Sequence, residues 1–333
     1  PDSSVELRNN PASYDQYLIQ RDQRDPIVRN TRIVAAAFTD TAAGTPIATF
    51  VNWHNHPDTL GSNNRLISSD YPHYLREYLE QNGGGLGIYT VGTLGNQIGG
   101  LRGTPVPLWN TIGERVYETI ANGSRRPVLV NDGWDKIRST GYEVADAALQ
   151  ALMHATPINN AHIRVRATSL DIPIDNAIHI LGTWSVWHDS VEAPERLRYH
   201  WPSCWGTLGC VRAEVSLIEI GDLSLLTAPG EIDPAYALGR TESTAHYGPP
   251  WGSWKFPAIH GIDDRMPGIH HGFLGSTHDY LSYMVPDADN VGWWNFSHPN
   301  HYEEWVTISK YFGDRIAKAW ETLVEPSSNR NVP

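Results

Sequence analysis

Residues 47–57 read Ile-Ala-Thr-Phe-Val-Asn-Trp-His-Asn-His-Pro, an apolar run followed by two histidines and a proline. The apolar half is typical of a β-strand, and the proline indicates where that strand ends. Neutral imidazole nitrogen is a favoured zinc ligand, so His54 and His56 at a strand end indicate a metal site. The pattern is weak on its own, because exposed histidines without a metal are common.

The sequence around this stretch predicts strands and a helix. Residues 32–38 and 46–52 flank a turn with a glycine, which predicts a β-hairpin. Residues 71–81 carry apolar side chains at helical spacing, and the glycines at 83–85 end that helix. Residues 86–91 predict the next strand.

The rest of the chain continues the alternation of strands and helices. Helices are predicted over 109–122, within 132–153 and over 305–323, and a strand over 163–174. Residues 211–220 and 223–228 flank a Gly-Asp turn and predict a second hairpin. Together these elements predict an α/β fold with a β-sheet core flanked by α-helices.

Composition excludes several classes of protein. The chain has 333 residues, of which 40% are hydrophobic and 19% charged, as in globular proteins. Its formal charge of −12 argues against nucleic acids and anionic membranes as partners. It contains 13 tryptophans, which indicate either an aromatic cleft or a tryptophan-rich core. No apolar run is long enough to cross a bilayer.

Cys204 and Cys210 are the two cysteines of the chain, with two glycines between them. They are either two free thiols or a disulfide closing a small loop, which would add about 2 kcal/mol. We favour the disulfide, which predicts a secreted or periplasmic protein. The sequence begins with Pro1 rather than Met, so we expect that an N-terminal segment has been removed.

Several motifs resemble those of one enzyme family. The residues Asn52-Trp53, His56-Pro57, Asn63-Asn64 and 67–71 resemble the N-W-x-x-x-H-P…N-S-N…I-S-x-D segment of the neutral, non-lysosomal ceramidases. Members of that family are zinc amidases, and the resemblance implies that His56 is a zinc ligand. This chain is one residue shorter between the tryptophan and the matching histidine, and the resemblance assigns no role to His54.

Three motifs further along the chain extend the resemblance in the same order. The Pro-Gly-Glu after the strand at 223–228 implies that Glu231 is a zinc ligand, with a helix-capping carboxylate as the alternative. Residues 279–286 resemble an N-x-Y-x-x-Y-x-x-P stretch, which implies that Tyr283 reaches the zinc. His301-Tyr302-Glu303 resembles a Tyr-Glu pair, which implies that Tyr302 is the catalytic residue that donates to the developing oxyanion.

Two departures from the family pattern stand out. The family has serine where this chain has Gly92, so a serine nucleophile is lost while attack by a zinc-bound water is not. Gly92 and Thr93 are our substrate-binding candidates, and a simple glycine-rich turn is the alternative. The family's first zinc histidine, in H-T-H-S-G-P, has no counterpart here.

The missing histidine has two possible sources. We favour a companion chain cleaved from the same precursor, over His54 or one of the histidines within 245–278. That histidine-rich region is either a second metal site or a wet, loop-rich lid, and we favour the lid.

The resemblance implies a function for the whole sequence. We expect residues 1–333 to be the main part of one catalytic domain, without the family's C-terminal sandwich domain. It would be a Zn²⁺-dependent hydrolase of an amide bond in a small-molecule or lipid substrate. The alternatives are an esterase or amidase for a non-sphingolipid compound, or a Trp-rich binding protein with a decayed site.

Overall fold

The computed structural model describes residues 24–26, 28–61, 64–97, 105–158, 161–176, 179, 199–200, 210–248, 252–290 and 302–325. Contacts divide the chain into two compact units. The first unit includes Thr31–Pro157, and the second takes in Arg21–Asn30 and Ile158–Pro333.

Both units contain strands and helices. In chain order the strands are β1 Arg24–Asp25, β2 Ile33–Thr39, β3 Pro46–Trp53, β4 Leu86–Val91, β5 Val106–Pro107, β6 Tyr117–Thr119, β7 Arg125–Pro127, β8 Leu129–Val130, β9 Ile163–Pro173, β10 Tyr199–His200, β11 Cys210–Ile220, β12 Leu223–Thr227, β13 Glu231–Ile232, β14 Ser243–Gly248, β15 Gly252–Phe256, β16 His270–Leu274 and β17 Tyr283–Met284. The helices are α1 Tyr71–Gln81, α2 Gly133–Leu152, α3 Pro234–Leu238, α4 Tyr302–Val306 and α5 Phe312–Val324.

The first unit is built on the sheet β2-β3-β4. Strands β2 and β3 form the predicted antiparallel hairpin, and β4 lies parallel to β3. A parallel pair needs a crossover connection, which contains α1. Helix α1 begins as predicted, because the side chain of Asp70 accepts a hydrogen bond from the N–H of Tyr71 at 2.8 Å. The buried faces of α1 and α2 pack with Ile33, Val51 and Trp53 in one hydrophobic core.

The predicted helix over 109–122 is wrong, because this segment forms strands and turns. Strand β6 pairs antiparallel with β7 across a turn that contains Asn122 and Gly123. Gly113 and Gly123 both have a φ of 81°, a left-handed conformation that interrupts a right-handed helix. Asn-Gly between two strands is a strong hairpin signal, and it outweighs the helical spacing of the apolar residues here.

The second unit is built on a larger sheet, in which β11 is the central strand. Strand β9 pairs antiparallel with β11 over its full length, β12 pairs on the other side of β11, and β16 lies parallel to β12. The predicted hairpin around Gly221-Asp222 is confirmed. Helix α5 packs on this sheet through Phe312, Ile316 and Trp320, which are fully buried. The indole N–H of Trp320 donates to the carbonyl of Thr227 at 2.8 Å.

The last predicted helix is interrupted. Residues 302–306 and 312–324 are separate helices, and between them the hydroxyl of Thr307 donates to the carbonyl of Tyr283 at 2.7 Å. The region 245–278 is also less loop-rich than expected. It contains most of the hairpin β14–β15 and the sheet strand β16.

Other predictions fall partly outside the described residues. Cys210 is buried at the start of β11, and no described cysteine is a free thiol. Cys204 lies outside the described part of the chain, so a disulfide between the two stays a prediction. Among the described residues, no helix is both long enough and apolar enough to span a membrane.

Candidate functional site

His56 lies in the turn that follows β3, where it is half-buried. Its Nδ1 is 2.8 Å from the backbone carbonyl oxygen of Gln97. A carbonyl oxygen can only accept, so Nδ1 carries the ring hydrogen and donates it. In the neutral ring, Nε2 then carries the lone pair. Metal-ligating histidines show this arrangement, with the second ring nitrogen bonded to a carbonyl or carboxylate.

His54 has the opposite tautomer. The backbone N–H of Thr93 donates to His54 Nδ1 at 2.8 Å, and the Thr93 hydroxyl oxygen lies 3.1 Å from the same nitrogen. Because a backbone N–H can only donate, Nδ1 is the acceptor and the hydrogen of the neutral ring is on Nε2. A neutral His54 could ligate a metal only by losing this bond. The geometry therefore favours His56 over His54 as a ligand, and it argues against His54 as the source of the missing histidine.

Gly92 is positioned directly against the imidazole of His54. A Cβ at position 92 would lie 2.1 Å from His54 Nδ1, so the ring occupies the volume that a side chain there would need. Thr93 is fully buried, and both its N–H and its hydroxyl contact His54. These contacts explain the absence of serine at position 92. A role of Gly92 and Thr93 in substrate binding stays a prediction.

A charged cluster near His56 was not anticipated from the sequence. Lys136 of α2 is fully buried, and burial lowers its pKa to about 8 against the opposing effect of Asp132, Asp58 and Asp70. Burial raises the pKa of Asp58, and His56, when it is protonated, opposes this effect. One feature of the sequence could have indicated that Lys136 is buried. It lies on the apolar face of a predicted helix, one turn before the buried Thr140.

Glu231 and Tyr283 lie side by side in the second unit. Strands β13 and β17 are parallel, and Glu231 is directly opposite Tyr283. Residues that are opposite each other in a ladder project to the same face of the sheet. Glu231 is 7% exposed, and its Oε1 accepts a hydrogen bond from the hydroxyl of Tyr280 at 2.7 Å. This bond fixes one carboxylate oxygen of Glu231, as outer partners of metal-ligating carboxylates do.

The next helix does not use Glu231 as its cap. Helix α3 is capped by Asp233, whose Oδ1 accepts from the N–H of Ala235 at 2.8 Å. The alternative assignment of Glu231 as a helix cap is therefore wrong. Tyr302 is the first residue of α4, and its side chain lies outside the part of the chain that the structure describes.

The Pro229-Gly230-Glu231 corner is held by a loop with unusual backbone. Three backbone hydrogen bonds join the corner to this loop. The N–H of Leu281 donates to the carbonyl of Pro229 at 2.7 Å, that of Ser276 to Gly230 at 2.9 Å, and that of Glu231 to Ser282 at 2.9 Å. The φ angles of Ser276, His278 and Ser282 are 54°, 68° and 74°. Left-handed backbone at residues other than glycine costs energy and clusters at functional sites.

Gly230 is required by the tightness of this corner. A Cβ there would lie 2.3 Å from the carbonyl oxygen of Ser282 and 2.8 Å from the ring of Phe312. We expect Gly230→Ala to lower the free energy of unfolding by about 3 kcal/mol, because backbone must move to admit the methyl group. Denaturant unfolding measures this loss.

Gly44→Ala is the control for this substitution. Gly44 has a φ of 67° and no atom near its Cβ position, so only backbone strain of about 1 kcal/mol is expected. A loss for Gly230→Ala no larger than that for Gly44→Ala would contradict the steric explanation.

The predicted site residues thus form two groups. His56 lies with the turn of Gly92 and Thr93 in the first unit, and Glu231 lies with Tyr283 in the second. Within the described ranges, no cluster of three or more His, Cys, Asp or Glu side chains forms a metal site. The donor types nevertheless suit zinc, since imidazole nitrogen and carboxylate oxygen are its usual ligands. Convergence of His56, Glu231 and Tyr283 on one ion stays a prediction.

Comparison with known proteins gives a fold likeness. No family model and no curated protein matches the chain. Among solved structures, it is similar to the neutral ceramidase from Pseudomonas aeruginosa, with a TM-score of 0.53 and 14% identity over 96% of this chain and 50% of that one. It is also similar to a ceramidase complexed with C2, with a TM-score of 0.52 and 14% identity over 97% of this chain and 51% of that one.

This likeness confirms the expected fold. The chain spans about half the length of the ceramidase structures that it matches. At this identity the match shows that the chain has a ceramidase-like, mixed α/β fold, as the four separated motifs predicted.

Proposed function

We propose that this chain, which shares its fold with neutral ceramidases, is a zinc-dependent hydrolase of amide bonds. The observation that carries the proposal is the hydrogen bond from His56 Nδ1 to the carbonyl of Gln97. It leaves a lone pair on Nε2, in the residue that the ceramidase motif marks as a ligand. The pairing of Glu231 with Tyr283 gives further support, because both motif residues lie on one face of a two-stranded sheet.

The chain's own residues would hold the metal and prepare the site. His56 Nε2 and a carboxylate oxygen of Glu231 would be ligands, with Tyr283 as a weaker neighbour. Tyr280 would keep Glu231 in its binding orientation through their 2.7 Å hydrogen bond. When bound, Zn²⁺ would polarise the substrate carbonyl and make a water molecule acidic enough to ionise near neutral pH.

The glycine at position 92 bears on the course of the reaction. The His54 ring occupies the volume that a serine side chain would need there, so position 92 supplies no nucleophile. We infer that water attacks the substrate carbonyl directly, with the Tyr302 hydroxyl donating to the oxyanion that develops.

The Tyr302 role gives a testable prediction. Tyr302→Phe should lower kcat by about 10²-fold, because one oxyanion donor is lost, and leave the zinc content unchanged. Steady-state kinetics and metal analysis measure the two quantities. Tyr311→Phe is the control, because Tyr311 is exposed at the start of α5 and should change neither. An unchanged kcat in Tyr302→Phe would make this tyrosine a packing residue.

The substrate is an amide of a small molecule or lipid. An esterase or amidase acting on a non-sphingolipid compound is the second candidate, favoured by Gly92 in place of serine. A Trp-rich binding protein with a decayed site is the third, and it would bind no zinc.

A catalytic zinc needs about three protein ligands and one open position. We propose that a companion chain from the same precursor supplies the third ligand, and that the protein is secreted or periplasmic. Native mass spectrometry of protein from its source would show a second, smaller polypeptide. A fully active, zinc-loaded preparation of this chain alone would exclude the companion.

Metal analysis and a paired substrate panel test the function. The purified protein should contain zinc and hydrolyse a fluorogenic N-acyl amide, lose that activity with a chelator and regain it with Zn²⁺. A matched ester with the same acyl chain distinguishes the second candidate. Zinc-loaded protein that cleaves neither substrate would overturn the proposal.

A further inference from the structure

We propose that His54 is a positioning residue, which holds the imidazole of His56 in the tautomer that leaves Nε2 for a metal. It does so by fixing the turn at residues 92–97, whose last residue supplies the carbonyl that bonds to His56. The inference depends on the proposed function only where it concerns the metal. The arrangement of the two imidazole rings is a property of the protein without any metal.

Gln97 connects the two histidines. Its side-chain amide donates to the backbone carbonyl of His54, and its own carbonyl accepts from the ring Nδ1 of His56 at 2.8 Å. At the other end of the turn, the N–H of Thr93 donates to the ring of His54 at 2.8 Å. His54 thus bonds to both ends of the turn, once through its ring and once through its carbonyl.

These bonds are shielded from water. His54 is 2% exposed, Thr93 is 0% exposed and Gln97 is 4% exposed. Removing the acceptor on His54 would leave a buried N–H of Thr93 without its bond, which costs more than the same loss at the surface. Asn96, inside the turn, has a φ of 61°, a left-handed conformation that asparagine adopts more readily than most residues.

His54 also fills the space beside Gly92. With the ring 2.1 Å from where a Cβ would lie, positions 54 and 92 cannot both carry large side chains in this conformation. The imidazole therefore takes the volume of the missing side chain, and it supplies the hydrogen-bond acceptor that fixes the turn.

The tautomers can be read directly by NMR. Protein with ¹⁵N-labelled histidine and no metal, at a pH where the rings are neutral, should show the hydrogen on Nε2 of His54 and on Nδ1 of His56. Long-range ¹H–¹⁵N spectra distinguish the two forms, and single substitutions assign the signals. A His54 ring with its hydrogen on Nδ1, or a His56 ring with its hydrogen on Nε2, would overturn the proposal. This measurement stands even if the chain has no amidase activity.

Two amide substitutions test the positioning role. The Oδ1 of His54→Asn takes the place of Nδ1 and can accept from Thr93, whereas the amide of His54→Gln reaches the place of Nε2 and cannot. We expect His54→Asn to keep its affinity for zinc within about threefold, and His54→Gln to lose about 10- to 100-fold, as for other outer partners of a ligand. Chelator competition with Zn²⁺ alone measures the affinity.

Thermal unfolding and the His56 tautomer are measured on both variants. If the two variants lose stability alike while the His56 tautomer and zinc affinity stay unchanged, His54 is only a packing residue and the proposal fails. If wild-type protein binds no zinc, the proposed function fails, and the His56 tautomer in His54→Gln still decides the positioning role. In that variant we expect the His56 tautomer to become mixed.

Discussion

Replacing His56 with alanine should remove zinc from the purified protein and lower kcat/KM on an amide substrate by about 10³-fold or more. Loss of a metal's stabilisation of the transition state is worth several kcal/mol, and each 1.36 kcal/mol is about tenfold in rate. The effect is specific to this ring, because its Nδ1 donates a hydrogen bond to the carbonyl of Gln97 at 2.8 Å and the lone pair of the neutral ring is then on Nε2. Metal analysis of dialysed protein and steady-state kinetics measure the two effects.

A second histidine gives the matched control for this substitution. His73 lies exposed on α1, and His73→Ala should leave both zinc content and kcat/KM unchanged. The fold should survive the loss of His56, since its ring is only half-buried and lies outside the hydrophobic core of the first unit. His56→Ala protein that is folded, zinc-loaded and active would exclude His56 as a ligand.

Replacing Glu231 with glutamine should weaken zinc binding by about 10²-fold or more, with a comparable loss in kcat/KM. A neutral amide is a poorer zinc ligand than a carboxylate. Glutamine keeps the shape of the side chain, and its amide oxygen can still accept the Tyr280 hydroxyl that now bonds to Oε1 at 2.7 Å. The substitution therefore tests the charge of the ligand with little change in packing.

Stability separates a ligand role from a structural one. Glu231 is buried, and glutamine has nearly the same shape and can still accept the Tyr280 hydroxyl, so metal-free Glu231→Gln should unfold at about the Tm of metal-free wild type. Glu242→Gln, at an exposed position of the same unit, should change neither zinc affinity nor Tm. A large fall in Tm with unchanged zinc affinity would show that Glu231 is structural.

The sequence predicted the local elements correctly where the spacing of apolar residues agreed with the residues that begin and end helices and turns. Helix α1 has apolar residues at helical spacing, an aspartate cap before it and glycines after it, and its predicted limits are those observed. The hairpin of β11 and β12 follows from two apolar runs around a Gly-Asp turn. The helix predicted over 109–122 was wrong because the helical spacing of its apolar residues disagreed with its turn residues. The left-handed glycines at 113 and 123 decided in favour of turns.

The candidate residues of the site followed from motifs, but their partners did not. The order of the motifs placed Glu231 and Tyr283 in one predicted site, and the parallel pairing of β13 with β17 brings them opposite each other. That pairing joins residues 52 positions apart (283 − 231), which no local pattern encodes. Tyr280 and Lys136 entered only with the structure, because each is defined by burial or by a contact to another segment.

The sequence by itself determined that two histidines follow an apolar strand, and its resemblance to the ceramidase motif predicted that the second is a zinc ligand. Only the tertiary structure decided which nitrogen of each neutral ring carries the hydrogen. His54 and His56 are two positions apart and chemically identical, and their tautomers differ because one ring meets a donor and the other an acceptor. The donor is the N–H of Thr93, 39 positions from His54, and the acceptor is the carbonyl of Gln97, 41 positions from His56. The hydrogen of a neutral imidazole follows its hydrogen-bond partner, and that partner is supplied by the fold.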